Sequence, residues 1–268
     1  MKTSCFHVDA FAGEIFRGNP AAVCPLEAWL PDAILQNIAA ENNLSETAFT
    51  VPRGQEFDLR WFTPTVEMDL CGHATLAAAF VLFAEQKFPG DIIRFHSRSG
   101  VLQVSRAGAI LTLDFPARPP QPCAMPEALA QGLGHRPAHV FNSRDFLAVF
   151  DSADAVRSLK PDFTVLKTLD CLGVIASAPG DDCDFVSRFF APAAGVDEDP
   201  VTGSAHCTLI PYWKARLGKN KLFARQLSRR GGELFCELAG DRVRIGGKAV
   251  LYLRGEIVLD DITTVHEK

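Results

Sequence analysis

The chain reads as two successive series of short alternating segments, each interrupted by one stretch that is apolar on nearly every side. Residues 5–11 alternate as a half-buried strand does, and Gly18-Asn19-Pro20 turns the chain into a second strand at 21–24. Pro31-Asp32 suits a first helical turn. Ile34, Leu35, Ile38 and Ala39 then form an apolar face, and Asn42-Asn43 closes the helix. Strands follow at 45–51, 57–62, 92–96, 101–106 and 110–115. Among them lies 74–87, rich in alanine and without a polar face. A helix of that kind must be enclosed by other elements, so the strands on either side are placed to wrap it.

Pro116-Ala117-Arg118-Pro119-Pro120-Gln121-Pro122 is the clearest linker, and after it the order repeats. Strands at 139–141 and 146–150, a short helix near 153–159 and strands at 172–177 and 184–190 lead to a second enclosed helix at 204–217. Gly231-Gly232, Gly240-Asp241 and Gly246-Gly247 punctuate a closing run of hairpins. The pattern predicts two halves, 1–117 and 118–268, each a curved sheet around one helix.

The repetition extends to motifs. Arg60-Trp61-Phe62-Thr63-Pro64 matches Arg188-Phe189-Phe190-Ala191-Pro192, and Gly72-His73-Ala74 matches Gly203-Ser204-Ala205, with a short insertion in the second copy. Each Gly-polar-Ala step stands where a helix begins, and the unbonded N–H groups of a helix start attract an anion. If the halves face each other across a pseudo-twofold, both starts open on one cleft, and a substrate carboxylate is the natural guest. One such step alone reads as ordinary capping, for which Ser204 and Asp199 are suitable residues; the matched pair favours a site.

Composition narrows the classes. The 268 residues are 47% apolar with mean hydropathy +0.07, enough for one large or two ordinary packed domains. A net charge of -5, from 27 basic and 32 acidic residues mixed along the chain, offers no stripe for nucleic acid or an anionic membrane. The longest apolar run falls well short of the roughly 20 residues of a membrane span. The start lacks the apolar core of a signal peptide, so a soluble, cytoplasmic protein is expected. Eight cysteines without a Cys-x-x-Cys pair indicate buried thiols rather than a zinc knuckle or a disulfide framework. Neither a Gly-rich phosphate loop nor an HExxH metal motif is present, and no cofactor is expected.

A cleft that does chemistry needs an acid or base. Counting back equally from Arg60 and Arg188 sets Glu46 against Val174, so the internal symmetry breaks at a carboxylate. A glutamate beside Thr47-Ala48-Phe49 faces either solvent or a site. His73, at the first turn of an enclosed helix, is a second acid/base candidate, and Asp199 could orient it across the cleft. His206 reads as packed rather than catalytic. Cys71 and Thr202 hold equivalent places; two thiols there would suggest a two-base racemase, but threonine cannot serve as a thiolate.

Ser45-Glu46-Thr47, Asp69-Leu70-Cys71-Gly72-His73-Ala74 and Glu198-Asp199-Pro200-Val201-Thr202-Gly203-Ser204-Ala205 resemble the signatures of the PhzF-like phenazine-biosynthesis isomerase family, as does Gly18-Asn19-Pro20-Ala21-Ala22-Val23. The resemblance spans nearly the whole chain. It implies the diaminopimelate epimerase-like α+β fold: two pseudo-symmetric lobes, each a curved, mostly antiparallel sheet around a central helix, with a final strand near 256–268 able to join the first lobe. It also implies a homodimer. Carried over by position, Glu46 matches the catalytic acid/base, and His73, Asp199 and Ser204 match the other polar site residues. Gly72, Gly203 and Asn19 match substrate contacts. The expected activity is a cofactor-independent isomerisation of a small carboxylate, with Glu46 moving a proton between carbons. The alternatives are an epimerase inverting one carbon and a non-catalytic member of the fold that binds a metabolite or a protein.

Overall fold

Strand pairing shows the repeat directly. The structure, a computed structural model, describes residues 1–259; the remainder of the strand expected near 256–268 lies outside the described residues. Two compact units form: Met1–Ala10, Pro20–Leu111 and the described part of Ala249–Lys268 in the first, Phe11–Asn19 and Thr112–Lys248 in the second.

In the first unit, strand Asn19–Pro25 runs parallel to Glu46–Arg53, which is antiparallel to Glu56–Phe62. Glu56–Phe62 is parallel to Ile92–Ser97, and that strand is antiparallel to Gly100–Ala107. Parallel neighbours cannot be joined by a tight hairpin, so each parallel step carries a crossover. Helix Asp32–Asn42 fills the first crossover, and the central helix Gly72–Ala84 fills the second. Lys2–Ala10 pairs antiparallel with Ala249–Val258, which brings the late part of the chain into the first unit.

The second unit repeats the order. Phe146–Val149 is parallel to Val174–Pro179, which is antiparallel to Phe185–Ala191. Phe185–Ala191 is parallel to Lys221–Gln226, and antiparallel Gly232–Ala239 and Arg242–Gly247 complete the series. The first crossover here holds two short helices, Ala153–Arg157 and Phe163–Leu166, and the second holds the central helix Gly203–Leu217. Helix Glu127–Leu133 has no counterpart in the sequence reading, because it is too short for its apolar positions to establish a period.

Register corrects one inference from counting. Arg60 lies opposite Phe49 and Arg188 opposite Ala176, so the position equivalent to Glu46 is Gly173 and not Val174. The first hairpin turns tightly between Arg53 and Glu56, whereas the second needs the longer stretch between Pro179 and Phe185. A Cβ at Gly173 would stand 2.4 Å from Cζ of Phe189 and 3.0 Å from the Phe190 carbonyl oxygen, so any side chain there would have to displace the ring.

The first central helix packs on Lys2–Ala10, Glu46–Arg53, Gly100–Ala107 and Ala249–Val258. Its residues from His73 to Ala79 are buried on every side, as are Val81, Leu82 and Phe83. Burying each such leucine stabilises the fold by about 2 kcal/mol. The second central helix packs on Lys221–Gln226, Gly232–Ala239 and Arg242–Gly247, and contains Pro211. Proline has no N–H to give to the carbonyl four residues back, Cys207. Arg118 N–H, from the proline-rich segment, donates to that carbonyl at 2.8 Å. Among the described residues no helix is long and apolar enough to cross a membrane.

Candidate functional site

Each unit fixes the approach to its central helix with the same device. Arg60 donates from Nε and Nη2 to the two carboxylate oxygens of Glu67, at 2.7 and 2.8 Å, with its guanidinium 5.0 Å from the Phe62 ring centroid. Arg188 does the same to Glu198, at 2.7 and 2.9 Å, and lies 4.9 Å from the Phe190 centroid. In both, a short strand carrying the glutamate folds back onto the arginine's strand, Glu67–Met68 in one and Val196–Asp199 in the other. The forked pair fits a planar guanidinium to a planar carboxylate and so fixes orientation as well as distance. The segment that follows enters its helix from a defined point.

In the first unit this places His73 beside Glu46. Cys71, in extended conformation, precedes the helix; its carbonyl accepts from the N–H of Thr75 at 3.2 Å and from the Thr75 hydroxyl. His73 Nε2 lies 3.0 Å from Glu46 Oε2, and its Nδ1 lies 3.5 Å from Cys71 Sγ. Glu46, first residue of its strand, is enclosed but keeps an edge toward solvent. Burial opposes a charge on His73, but the Cys71 and Glu46 groups outweigh it and hold its pKa well above the usual histidine value. Burial, then the Glu46 charge, pushes the Cys71 thiol up. The donor atoms of Glu46, Cys71 and His73 lie within 4.8 Å of one another, the one trio among the described residues close enough to bind a metal ion. The two ring nitrogens of His73 face one neighbour each, an arrangement that suits proton relay.

In the second unit Asp199 is held from several sides. Asn19, fully buried, donates from Nδ2 to Asp199 Oδ1 at 2.7 Å and to the Val201 carbonyl at 3.0 Å. The Thr202 hydroxyl donates to Asp199 Oδ2. Gln226 ties the loop together: its Oε1 accepts from Thr202 N–H at 2.9 Å, and its Nε2 donates to the Asp199 carbonyl at 2.8 Å. Gly203 and Ser204 open the helix, and Ser204 Oγ accepts from Arg144 Nη2 at 3.0 Å. His206, one turn in, donates from Nδ1 to the Thr202 carbonyl at 2.8 Å, and burial pulls its pKa down to about 4. It is a neutral packing residue.

Of the residues singled out in sequence, Glu46, Gly72 and His73 therefore lie together in the first unit. In the second, Asn19 and Asp199 bond directly, beside the helix start that carries Gly203 and Ser204. Sequence reasoning missed Gln226 and Arg144. Gln226 sits in an ordinary alternating strand, and Arg144 lies in a hairpin turn far along the chain from Ser204, so no local pattern marks either.

Known proteins resemble this chain over nearly its whole length. A family profile described as phenazine biosynthesis-like protein matches residues 8–255. An uncharacterized isomerase of Pseudomonas aeruginosa is 54% identical over 259 residues, covering 97% of this chain and 100% of the relative. The crystal structure of a PhzF-family phenazine biosynthesis protein from Enterococcus faecalis superposes with TM-score 0.95 at 50% identity, over 97% of this chain and 100% of that one. A Pseudomonas aeruginosa protein described as a predicted epimerase shares the fold at TM-score 0.72 and 22% identity, over 96% of this chain and 99% of its own.

Proposed function

The chain belongs to the phenazine biosynthesis-like family, and from that premise we propose that it is an isomerase that moves a proton between two carbons of a small carboxylate substrate. Full-length relatives named as isomerases support the class of enzyme. The observation that carries the mechanism is the contact of His73 Nε2 with Glu46 Oε2 at the start of an enclosed helix.

Glu46 acts as the general base. It takes a proton from a carbon next to a conjugated system, and the electron pair spreads into that system. The His73 imidazolium beside it stabilises the developing negative charge, aided by the N–H groups of the helix start at Gly72. Glu46, now protonated and with an edge toward solvent, exchanges that proton with water and gives one to a different carbon. Since one carboxyl takes a proton and gives one back, no net acid or base is consumed. In the second unit, Ser204 and the helix start at Gly203 suit a carboxylate, and Asp199 is the polar group that the Asn19, Thr202 and Gln226 bonds keep in place.

A two-thiol epimerase is the competing reading, and two observations weigh against it. Burial raises the Cys71 thiol, and the equivalent Thr202 hydroxyl is bonded to Asp199. The reading also takes the enzyme to work without a cofactor, as a cytoplasmic homodimer. Its test is a panel of cyclic and unsaturated carboxylic acids incubated with the enzyme in deuterated water. Deuterium should appear at carbon, together with a shifted double bond. Exchange at one centre with inversion and no shift would turn the assignment to an epimerase. No exchange with any acid of the panel would count against the reading.

A further inference from the structure

The turn that joins strands His139–Asn142 and Phe146–Val149 is Ser143-Arg144-Asp145, and its side chains bond the second central helix, each other and the Gly173 backbone. Ser143 Oγ hydrogen-bonds Thr208 Oγ1 at 3.0 Å, and Arg144 Nη2 donates to Ser204 Oγ at 3.0 Å. The turn thus grips the helix at two points one turn apart. Asp145 is 0% exposed. Arg144 donates to its Oδ2 from Nη2 at 2.9 Å and from Nε at 3.3 Å. Burial pushes the Asp145 carboxyl up, and the Arg144 charge opposes that rise.

A fully buried carboxylate is an expensive way to fasten a hairpin turn. What it provides is a guanidinium held on one edge and fixed in direction. Nε and Nη2 of Arg144 are used, while Nη1 meets no acceptor among the described residues, and about a third of the side chain remains exposed. A second cation reinforces the field. Arg118 lies close enough for its charge to act on Asp145 and on Cys207, and its Nη1 is buried without an acceptor among the described residues. Arg118 and Arg144 against Asp145 leave net positive charge beside the helix start, where the dipole adds to it.

We propose that Arg144 is a specificity-determining residue that receives the substrate's carboxylate on the open Nη1 edge of its guanidinium, next to Ser204 Oγ, so that the enzyme selects a carboxylate over the corresponding amide. The inference rests on the proposed function for its choice of substrate class. Asp145 positions Arg144 and touches no substrate. A charge-assisted hydrogen bond to a carboxylate is about twice as strong as a neutral one, and the neutral amide forfeits it.

The test titrates the intact enzyme with benzoate and with benzamide, read by ligand-observed nuclear magnetic resonance. Wild type should bind benzoate, and benzamide at least about tenfold more weakly. Arg144→Met should weaken benzoate by about ten- to a hundredfold and leave benzamide unchanged, a discrimination that a merely structural role would not move. Because Arg144→Met strands the buried Asp145 charge, the same titration is run on Arg144→Met/Asp145→Asn, which buries no unpaired charge and should show the same loss. Equal benzoate affinity in wild type and the double variant overturns the assignment, as does wild type binding neither ligand or both alike. Deuterium exchange with the acid panel separates the two readings. Benzoate selected through Arg144 with no acid exchanged would leave Arg144 as the anchor and remove the proton shift. Exchange undisturbed in the double variant would keep the isomerase and remove the anchor.

Discussion

The two units begin their central helices alike and then place opposite histidines there. His73 and His206 are both buried close to a helix start. His73 faces the Glu46 carboxylate and is held in its charged form, while His206 bonds the Thr202 carbonyl, packs against the Phe185 ring and is held neutral by burial. The scaffold around them is shared: the same series of strand pairings and the same forked Arg–Glu clasp before each helix. What differs is the strand position of Glu46, which the second unit fills with Gly173, and the neighbours of Ser204, where a clamped arginine appears. Duplicated backbone supplies two helix starts. In the mechanism proposed above, the side chains around each assign proton transfer to one and charge recognition to the other.

The sharpest way to break this contrast is Glu46→Gln, which keeps shape and hydrogen-bonding reach but removes the titrating group. Carbon–deuterium exchange should fall about 10²–10⁴-fold, with carboxylate affinity nearly unchanged. Full exchange in this variant, together with its loss in Cys71→Ser, would move the proton chemistry to the thiol.

The shared clasp can be tested in both units at once. Arg188→Met leaves a largely enclosed glutamate without its fork and should cost about 3 kcal/mol in urea unfolding; Arg60→Met should cost less, because Arg98 Nη2 stays 2.6 Å from Glu67. Losses in both units support one device used twice; a loss confined to one unit would mean that the geometric match is not an energetic one.

His206 gives a pH signature that His73 cannot. Its folded pKa of about 4 lies below the ordinary 6.5, so the unfolded chain takes up a proton that the folded chain resists. Its contribution is complete above pH 6.5 and is lost as the pH falls toward 4. At about 1.4 kcal/mol for each pH unit, the loss approaches about 3 kcal/mol. His206→Gln, able to donate to the same Thr202 carbonyl, should flatten that limb of the urea midpoint between pH 6.5 and 4. An unchanged slope would show that His206 is not the group responsible. His73, raised rather than lowered, contributes with the opposite sign: its stabilisation is present below pH 6.5 and fades as the pH climbs through its elevated value.

The smallest effect belongs to Cys71→Ser. The thiol is buried and raised, so a hydroxyl in its place should leave exchange within about tenfold of wild type. A larger loss would give the sulfur a part in holding His73 that its 3.5 Å contact alone does not suggest.

Much of this was legible before any coordinates. Alternation marks strands because side chains point to opposite faces, and a helix apolar on all sides announces its own enclosure; both depend on neighbours within a few residues. The repeated Arg-aromatic-Phe-x-Pro and Gly-polar-Ala steps pointed to two helix starts, and the break in symmetry pointed to Glu46. Tertiary structure alone decided the rest. It set Gly173 against Glu46, because register depends on the length of a hairpin turn that local pattern does not measure. It gave the carbonyl freed by Pro211 a partner in Arg118, gave Asp199 its clamp in Asn19 and Gln226, and brought Arg144 to Ser204 across 60 positions of sequence. Composition and periodicity fix which faces are buried. Which polar groups then meet is settled by the pairing of strands distant in the chain, and it is those meetings that fix the charge on each histidine and the direction of each arginine.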